Sequence, residues 1–252
     1  MEGQFMTDTG RVRAHNEDSG GVFKNDTCQQ LAIIADGMGG HQAGDVASQM
    51  AADILKKKWQ AHKEAATPDE TEKWLNSVLH EINQEIFAHS LSNEECRGMG
   101  TTIVLAVCAP DFVTISHIGD SRCYLYSNGK LNQVTEDHSL VNELVRSGEI
   151  TKEDAKFHPQ KNVVLKALGT EETVKPDIQT LNWEKGDKLL LCSDGLTDKV
   201  DDREIAECFA SSKSIREIGD YLIRAANERG GEDNISLVIM NHQHMEAGEN
   251  SC

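Results

Sequence analysis

Positive charge, aromatic rings and proline are all scarce in this chain of 252 residues. Its 25 Lys and Arg stand against 42 Asp and Glu, a net charge of −17; aromatics make up 5% and there are four prolines. The acid excess excludes general affinity for nucleic acid or anionic membranes, which needs clustered cations. Long apolar runs are missing too. Residues 31–35 form one of the longer ones, far short of the roughly 20 residues that span a bilayer. The first ten residues are mixed and polar, unlike a secretory signal. None of the seven cysteines falls at CxxC spacing, and one would be left over after pairing. That pattern excludes a disulfide framework and a zinc site and predicts free thiols in a reducing cytoplasm. Repeats, low-complexity tracts and Gly- or Pro-rich linkers are also absent from the sequence. The expectation is one domain over 1–241, followed by a polar tail at 242–252 that frays from about Asn241.

What the chain does contain is patterned. Val46, Met50 and Ile54 recur at i+4, as do Leu75, Val78, Leu79, Ile82 and Ile86 at helical spacing. These predict an early helix pair, and 202–209 and 214–227 predict a late pair. Between and around them, 31–35, 102–107, 113–116, 122–126, 188–192 and 235–239 are β-rich and bounded by turn residues. Ser127-Asn128-Gly129-Lys130 reads as a hairpin, because Asn-Gly tolerates the positive φ of a tight turn. The whole is an α+β pattern with helices covering sheets.

One layout recurs four times. An apolar strand runs into, or out of, an acid beside a turn residue: Asp36-Gly37, Gly119-Asp120, Asp194-Gly195 and Glu232-Asp233-Asn234. Taken singly, each is an ordinary Asp-Gly turn. Taken together, carboxylates at strand ends that share one rim repel each other unless cations sit between them. Oxygen-only donors suit hard ions such as Mg²⁺ or Mn²⁺. Upstream, Arg13-Ala14-His15-Asn16-Glu17-Asp18 places one guanidinium, able to grip two phosphate oxygens, next to two more acids. A solvated loop with local ion pairs is the plainer reading of that stretch.

In order, Arg13-x-x-Asn16-Glu17-Asp18, Asp36-Gly-Met-Gly-Gly-His41, Gly98-Met-Gly-Thr-Thr102, Gly119-Asp-Ser-Arg122, Ser193-Asp-Gly-Leu196 and Gly231-Glu-Asp-Asn234 resemble the PPM (type 2C) metal-dependent protein phosphatases. The likeness is strongest to the bacterial stand-alone PrpC-type enzymes and runs from about Thr7 to Met240. The resemblance implies a four-layer α-β-β-α fold, a central antiparallel β-sandwich flanked by helix pairs, with a flap at about 139–168. It implies hydrolysis of phosphoserine and phosphothreonine on proteins by water activated between two Mn²⁺ or Mg²⁺ ions, with a third, weaker ion. Asp36 would bridge the two metals and the Gly37 carbonyl would help hold one; Asp194 and Asp233 would complete the first. Glu17 would hold water on the second, Asp18 would orient the attacking water, and Asp120 would serve the third. Arg13 would grip the substrate phosphate. Where many eukaryotic members have His after Asp-Gly, this chain has Met38, so His41 is the nearest candidate for the acid. The resemblance also implies a monomer that opposes a cognate Ser/Thr kinase. A two-metal nuclease or phosphodiesterase, a catalytically dead phosphoprotein-binding relative, and the same fold dedicated to one substrate such as an anti-sigma-type regulator are the competing readings.

Overall fold

The computed structural model describes residues 1–27, 29–39, 43–62 and 67–242. Chain order runs β1 (Glu2–Asp8), β2 (Asp18–Lys24), β3 (Gln30–Met38), α1 (Ala43–Ala61), α2 (Pro68–Ser92), β4 (Gly100–Thr101), β5 (Ile103–Cys108), β6 (Phe112–Ile118), β7 (Arg122–Ser127) and β8 (Lys130–Gln133). It continues with α3 (Leu140–Arg146), α4 (Lys152–Ala155), β9 (Asp177–Asn182), β10 (Lys188–Cys192), α5 (Asp194–Thr197), α6 (Asp202–Ala210), α7 (Ile215–Glu228) and β11 (Ile235–Asn241). One sheet has the order β1-β11-β10-β7-β8 and the other β2-β3-β5-β6-β9, with β4 beside β3. Among the described residues every pairing between strands is antiparallel.

The apolar strands are buried on both faces, which is why they read as continuous runs. Along β3 and β5, Leu31, Ile33, Ala35, Ile103, Leu105 and Val107 pack toward α1 and α2. Their alternates Ala32, Ile34, Val104 and Ala106 meet Leu189, Leu191, Val238 and Met240 between the sheets. The outer face of the first sheet, with Leu190, Leu237 and Ile239, packs against Ile218 and Leu222 of α7 and Phe209 of α6. Period-2 alternation on strands against i+4 stripes on helices thus yields four layers. Each such Leu or Ile taken out of water contributes about 1.5–3 kcal/mol. Three helices start at capping boxes, Thr67 with Glu70, Thr151 with Asp154 and Ser214 with Glu217, which satisfy otherwise orphaned N–H groups.

The hairpin forms as expected, with φ of 52° at Asn128 and 74° at Gly129. Asn241, where fraying is expected to begin, is held in the first sheet. Asn241 pairs with Glu2 and Lys188, and buried His242 reaches the Pro110 carbonyl at 2.8 Å and packs edge-on against Trp183. Cys96, Cys108, Cys123, Cys192 and Cys208 are free thiols. No described helix is long and apolar enough to cross a membrane.

Between β8 and β9 the chain leaves the sandwich. A bridge between Ser139 and Val164 ties its base, and α3 and α4 bury no side chain. This is the expected flap.

Candidate active site

The strand ends bring the acids together. In the register of β2 with β3, Asp18 lies directly opposite Asp36. Asp194 opens α5 just after β10, Asp233 precedes β11, and Asp120 sits in the turn between β6 and β7. Cys192 pairs with both Leu237 and Arg122, which places these last three turns at one end of one sheet.

Threonines and serines fix the backbone there. The Asp36 carbonyl accepts from Thr102 N at 2.8 Å and from the Thr101 hydroxyl at 2.9 Å. The Ser193 hydroxyl donates to Asp18 Oδ2 at 2.9 Å and accepts from Ser236 N at 3.0 Å. Asn234 joins three segments: its Oδ1 accepts from Glu17 N at 2.8 Å, and its Nδ2 donates to the carbonyls of Thr9 and His15. Gly37 donates its N–H to the Glu17 carbonyl at 3.1 Å. A Cβ on Gly37 would stand 2.1 Å from the Gly44 carbonyl oxygen, so only glycine fits between β3 and α1.

The acids feel one another. Asp36 and Asp194 have carboxyls held well above the usual range, first by loss of water around them. Next come charges: Asp18, Asp194, Asp120 and Asp233 act on Asp36, and Asp120, Asp233, Asp198 and Asp18 act on Asp194. Burial pushes Asp18 up to about 6, with Ser236 and Ser193 hydrogen bonds pulling the other way. Burial also raises Asp120 to about 6, helped by Asp137 and opposed by Arg122. Glu17 is raised by burial, with Arg13 opposing and Asp45 adding to it.

Such a rim fits cations. Asp18 Oδ1 is buried without a hydrogen-bond partner, and the donors are carboxylates, the set that suits hard divalent ions. Among the described residues, the group of three His, Cys, Asp or Glu side chains whose ligand atoms all lie within 4.8 Å is elsewhere, at His117, His138 and Asp177.

Arg13 lies beside the acids, its Nη2 at 2.8 Å from Asp233 Oδ2. Both line a groove of about 310 Å³ together with Asp194, Asp198, Lys199, Glu232 and the flap residues Lys161 and Asn162. Lys161 pairs with Asp198, and Lys199 pairs with Glu232. Thus Arg13, Asp18, Asp36, Asp120, Asp194 and Asp233 converge, with Glu17 and Gly37 bonded backbone to backbone alongside. His41 lies outside the described residues. Ser193, Asn234, Thr101 and Thr102 were visible within the sequence motifs, but without a role. Lys161 and Asp198 carried no signal, because their meeting depends on how the flap lies against α5.

A family model described as protein phosphatase 2C matches residues 9–238. The serine/threonine phosphatase stp of Listeria innocua is 47% identical over 251 residues, covering 100% of both chains. Among solved structures, serine/threonine phosphatase Stp1 from Staphylococcus aureus superposes with a TM-score of 0.91 at 42% identity, covering 94% of this chain and 93% of that one. The catalytic domain of the serine threonine protein phosphatase PstP, in complex with two manganese ions, superposes with a TM-score of 0.83 at 34% identity, covering 94% and 96%. With the acid rim, the two-sheet core and matches that span nearly the whole chain, the protein belongs to the protein phosphatase 2C family.

Proposed function

We propose that this chain is a metal-dependent protein phosphatase that hydrolyses phosphoserine and phosphothreonine on proteins. The observation that carries this reading is the gathering of five aspartates at one end of the sandwich, beside a groove that holds Arg13. Asp36, Asp194 and Asp233 would hold one divalent ion, with Asp36 shared with a second that Glu17 and Asp18 serve through water, and the Gly37 carbonyl would help hold one of the two. Asp120 would hold a third, weaker ion. Mn²⁺ or Mg²⁺ is the expected metal, and the manganese complex of the PstP domain supports a two-ion core. Bound there, such ions would lower the pKa of water and neutralise charge on phosphate oxygens.

The chain's own residues then have plain tasks. Arg13 holds two phosphate oxygens and orients the ester. Asp18, held by Ser193, orients the attacking water. The P–O bond to the serine or threonine oxygen breaks, and that oxygen takes a proton, for which His41 is the candidate donor. None of these steps uses a covalent phosphoenzyme.

The net charge of −17 favours phosphoprotein substrates over nucleic acid or membrane surfaces. A monomeric, cytoplasmic enzyme that opposes a cognate Ser/Thr kinase, with its domain over 1–241 and a tail at 242–252, completes the reading. The direct test is phosphate release from a phosphothreonine peptide in excess EDTA and again with Mn²⁺ restored. Activity only with Mn²⁺ is expected; activity that persists unchanged in EDTA would overturn metal dependence.

A further inference from the structure

His117, His138 and Asp177 make the tightest group of ligand-type side chains among the described residues. Their chemistry does not suit a metal. Gly119 N donates to His138 Nδ1 at 3.1 Å, so the neutral ring carries its proton on Nε2. That proton faces Asp177 Oδ2 at 3.3 Å, and a protonated nitrogen has no lone pair for a metal. His117 uses Nε2 on the Glu136 carbonyl at 2.8 Å and stacks on the His138 ring, centroids 4.6 Å apart and planes at 13°. The arrangement holds one ring in one orientation and one tautomer.

That ring holds Gly119. Besides the side-chain bond, His138 N donates to the Gly119 carbonyl at 2.9 Å, so both polar groups of Gly119 end on a single residue. Gly119 has φ of +110°, and a Cβ there would lie 2.6 Å from Thr102 Cβ. It has no side chain to fix its peptide, which leaves the backbone bonds to set the direction in which Asp120 leaves. On the other side, the Ser121 hydroxyl is 2.8 Å from the Thr102 hydroxyl, and Thr102 N is bonded to Asp36. His138 also accepts from Leu165 N at 2.7 Å and precedes Ser139, where the flap begins.

We propose that His138 is the positioning residue for Asp120: it clamps both ends of Gly119, aims the Asp120 carboxylate, and joins that carboxylate to the base of the flap. The proposal rests on the reading of Asp120 as a metal ligand.

Two variants split the two ends of the ring. In His138→Asn, Oδ1 stands near the place of Nδ1 and can still accept from Gly119. In His138→Gln, the amide reaches toward Asp177, but the acceptor for Gly119 is lost. On metal-free protein, ¹⁵N NMR is expected to show the Nε2–H tautomer of His138. The Gly119 amide resonance should move in His138→Gln and stay near its native position in His138→Asn. Loss of a partner that orients a metal ligand weakens binding by about 10- to 100-fold. The weakest Mn²⁺-binding step, followed by electron paramagnetic resonance of free Mn²⁺, is expected to weaken to that extent in His138→Gln, with kcat falling and KM unchanged. His138→Asn should restore most of both.

In an Asp120→Ala background, His138→Gln should cause no further loss, because residues that act through one another are not additive. Losses that multiply in the double variant, or a pattern with Gln native-like and Asn impaired, would overturn the proposal and point to the Asp177 contact. Asp120→Ala with unchanged Mn²⁺ binding and kcat would sink the ligand reading beneath it. That failure is distinguishable, because the Gly119 amide shift is read without metal.

Discussion

The acid rim and the flap differ in almost every physical respect, although they share one groove. The rim is built on strand ends whose side chains back onto a closed core, and Asp18 and Asp120 are buried there at a cost in ionisation. The flap carries two short helices with no buried side chain, and Phe157 on it is 86% exposed. Strained charge is kept where the scaffold cannot yield, and freedom is kept where a substrate protein must be met.

The comparison breaks most sharply at the rim. Asp36→Ala or Asp194→Ala should lower kcat/KM for a phosphothreonine peptide by at least about 10³-fold, the several kcal/mol that metal chemistry supplies. Near-native turnover in either would remove the rim from the reaction. Behind it, Ile33→Ala, fully buried between β3 and the helices, should destabilise the fold by about 2–5 kcal/mol in urea unfolding. A change of a few tenths would mean that the rim is not held by the core.

Arg13→Ala should raise KM by about tenfold or more with little change in kcat, as expected when a charge-assisted bond to phosphate is lost. A fall in kcat alone would assign Arg13 to the chemical step instead.

Acidity offers a smaller and more diagnostic effect. Asp18 ionises near 3.8 when unfolded and at about 6 in the fold. Below 3.8 both states hold the proton and Asp18 brings no penalty. As pH rises through 4 to 6 the unfolded chain ionises first, so folding is disfavoured progressively. In EDTA the melting temperature of Asp18→Asn should therefore fall less between pH 4 and 7 than that of the parent chain. Parallel curves would contradict a buried, raised carboxyl. Smallest of all, Phe157→Ala on the flap should shift stability by no more than about 0.5 kcal/mol, and a larger loss would show that the flap is packed after all.

Much of this was legible beforehand, for identifiable reasons. Strands such as β10 are apolar on both faces and announce themselves, and the Asp-Gly turns at their ends carried the site. The strands that escaped notice lack that signal. β2 contains Gly20 and Gly21, which have little strand propensity. β9 reads Asp-Ile-Gln-Thr-Leu-Asn and lies at a sheet edge. α3 and α4 are too short for periodicity to accumulate. Of the acids that gather at the rim, Asp36, Asp120, Asp194 and Asp233 stand out in the sequence by their place beside turn residues, and Asp18 only through the resemblance. The supports do not stand out, since the bond from Ser193 to Asp18 joins residues 175 positions apart and that from Asn234 to Glu17 joins residues 217 apart.

Those separations bear on how the molecule is made. β11, the last strand of the sandwich in sequence, inserts between β1 and β10 and does not add at an edge. During synthesis from the N-terminus the first sheet must wait with a gap, and Asp233 and Asn234 arrive only with the strand that fills it. Long-range pairing of this kind slows folding. It also means that the acid rim is complete only when β11 is seated, so closing the sheet and setting Asp233 and Asn234 in place are one event.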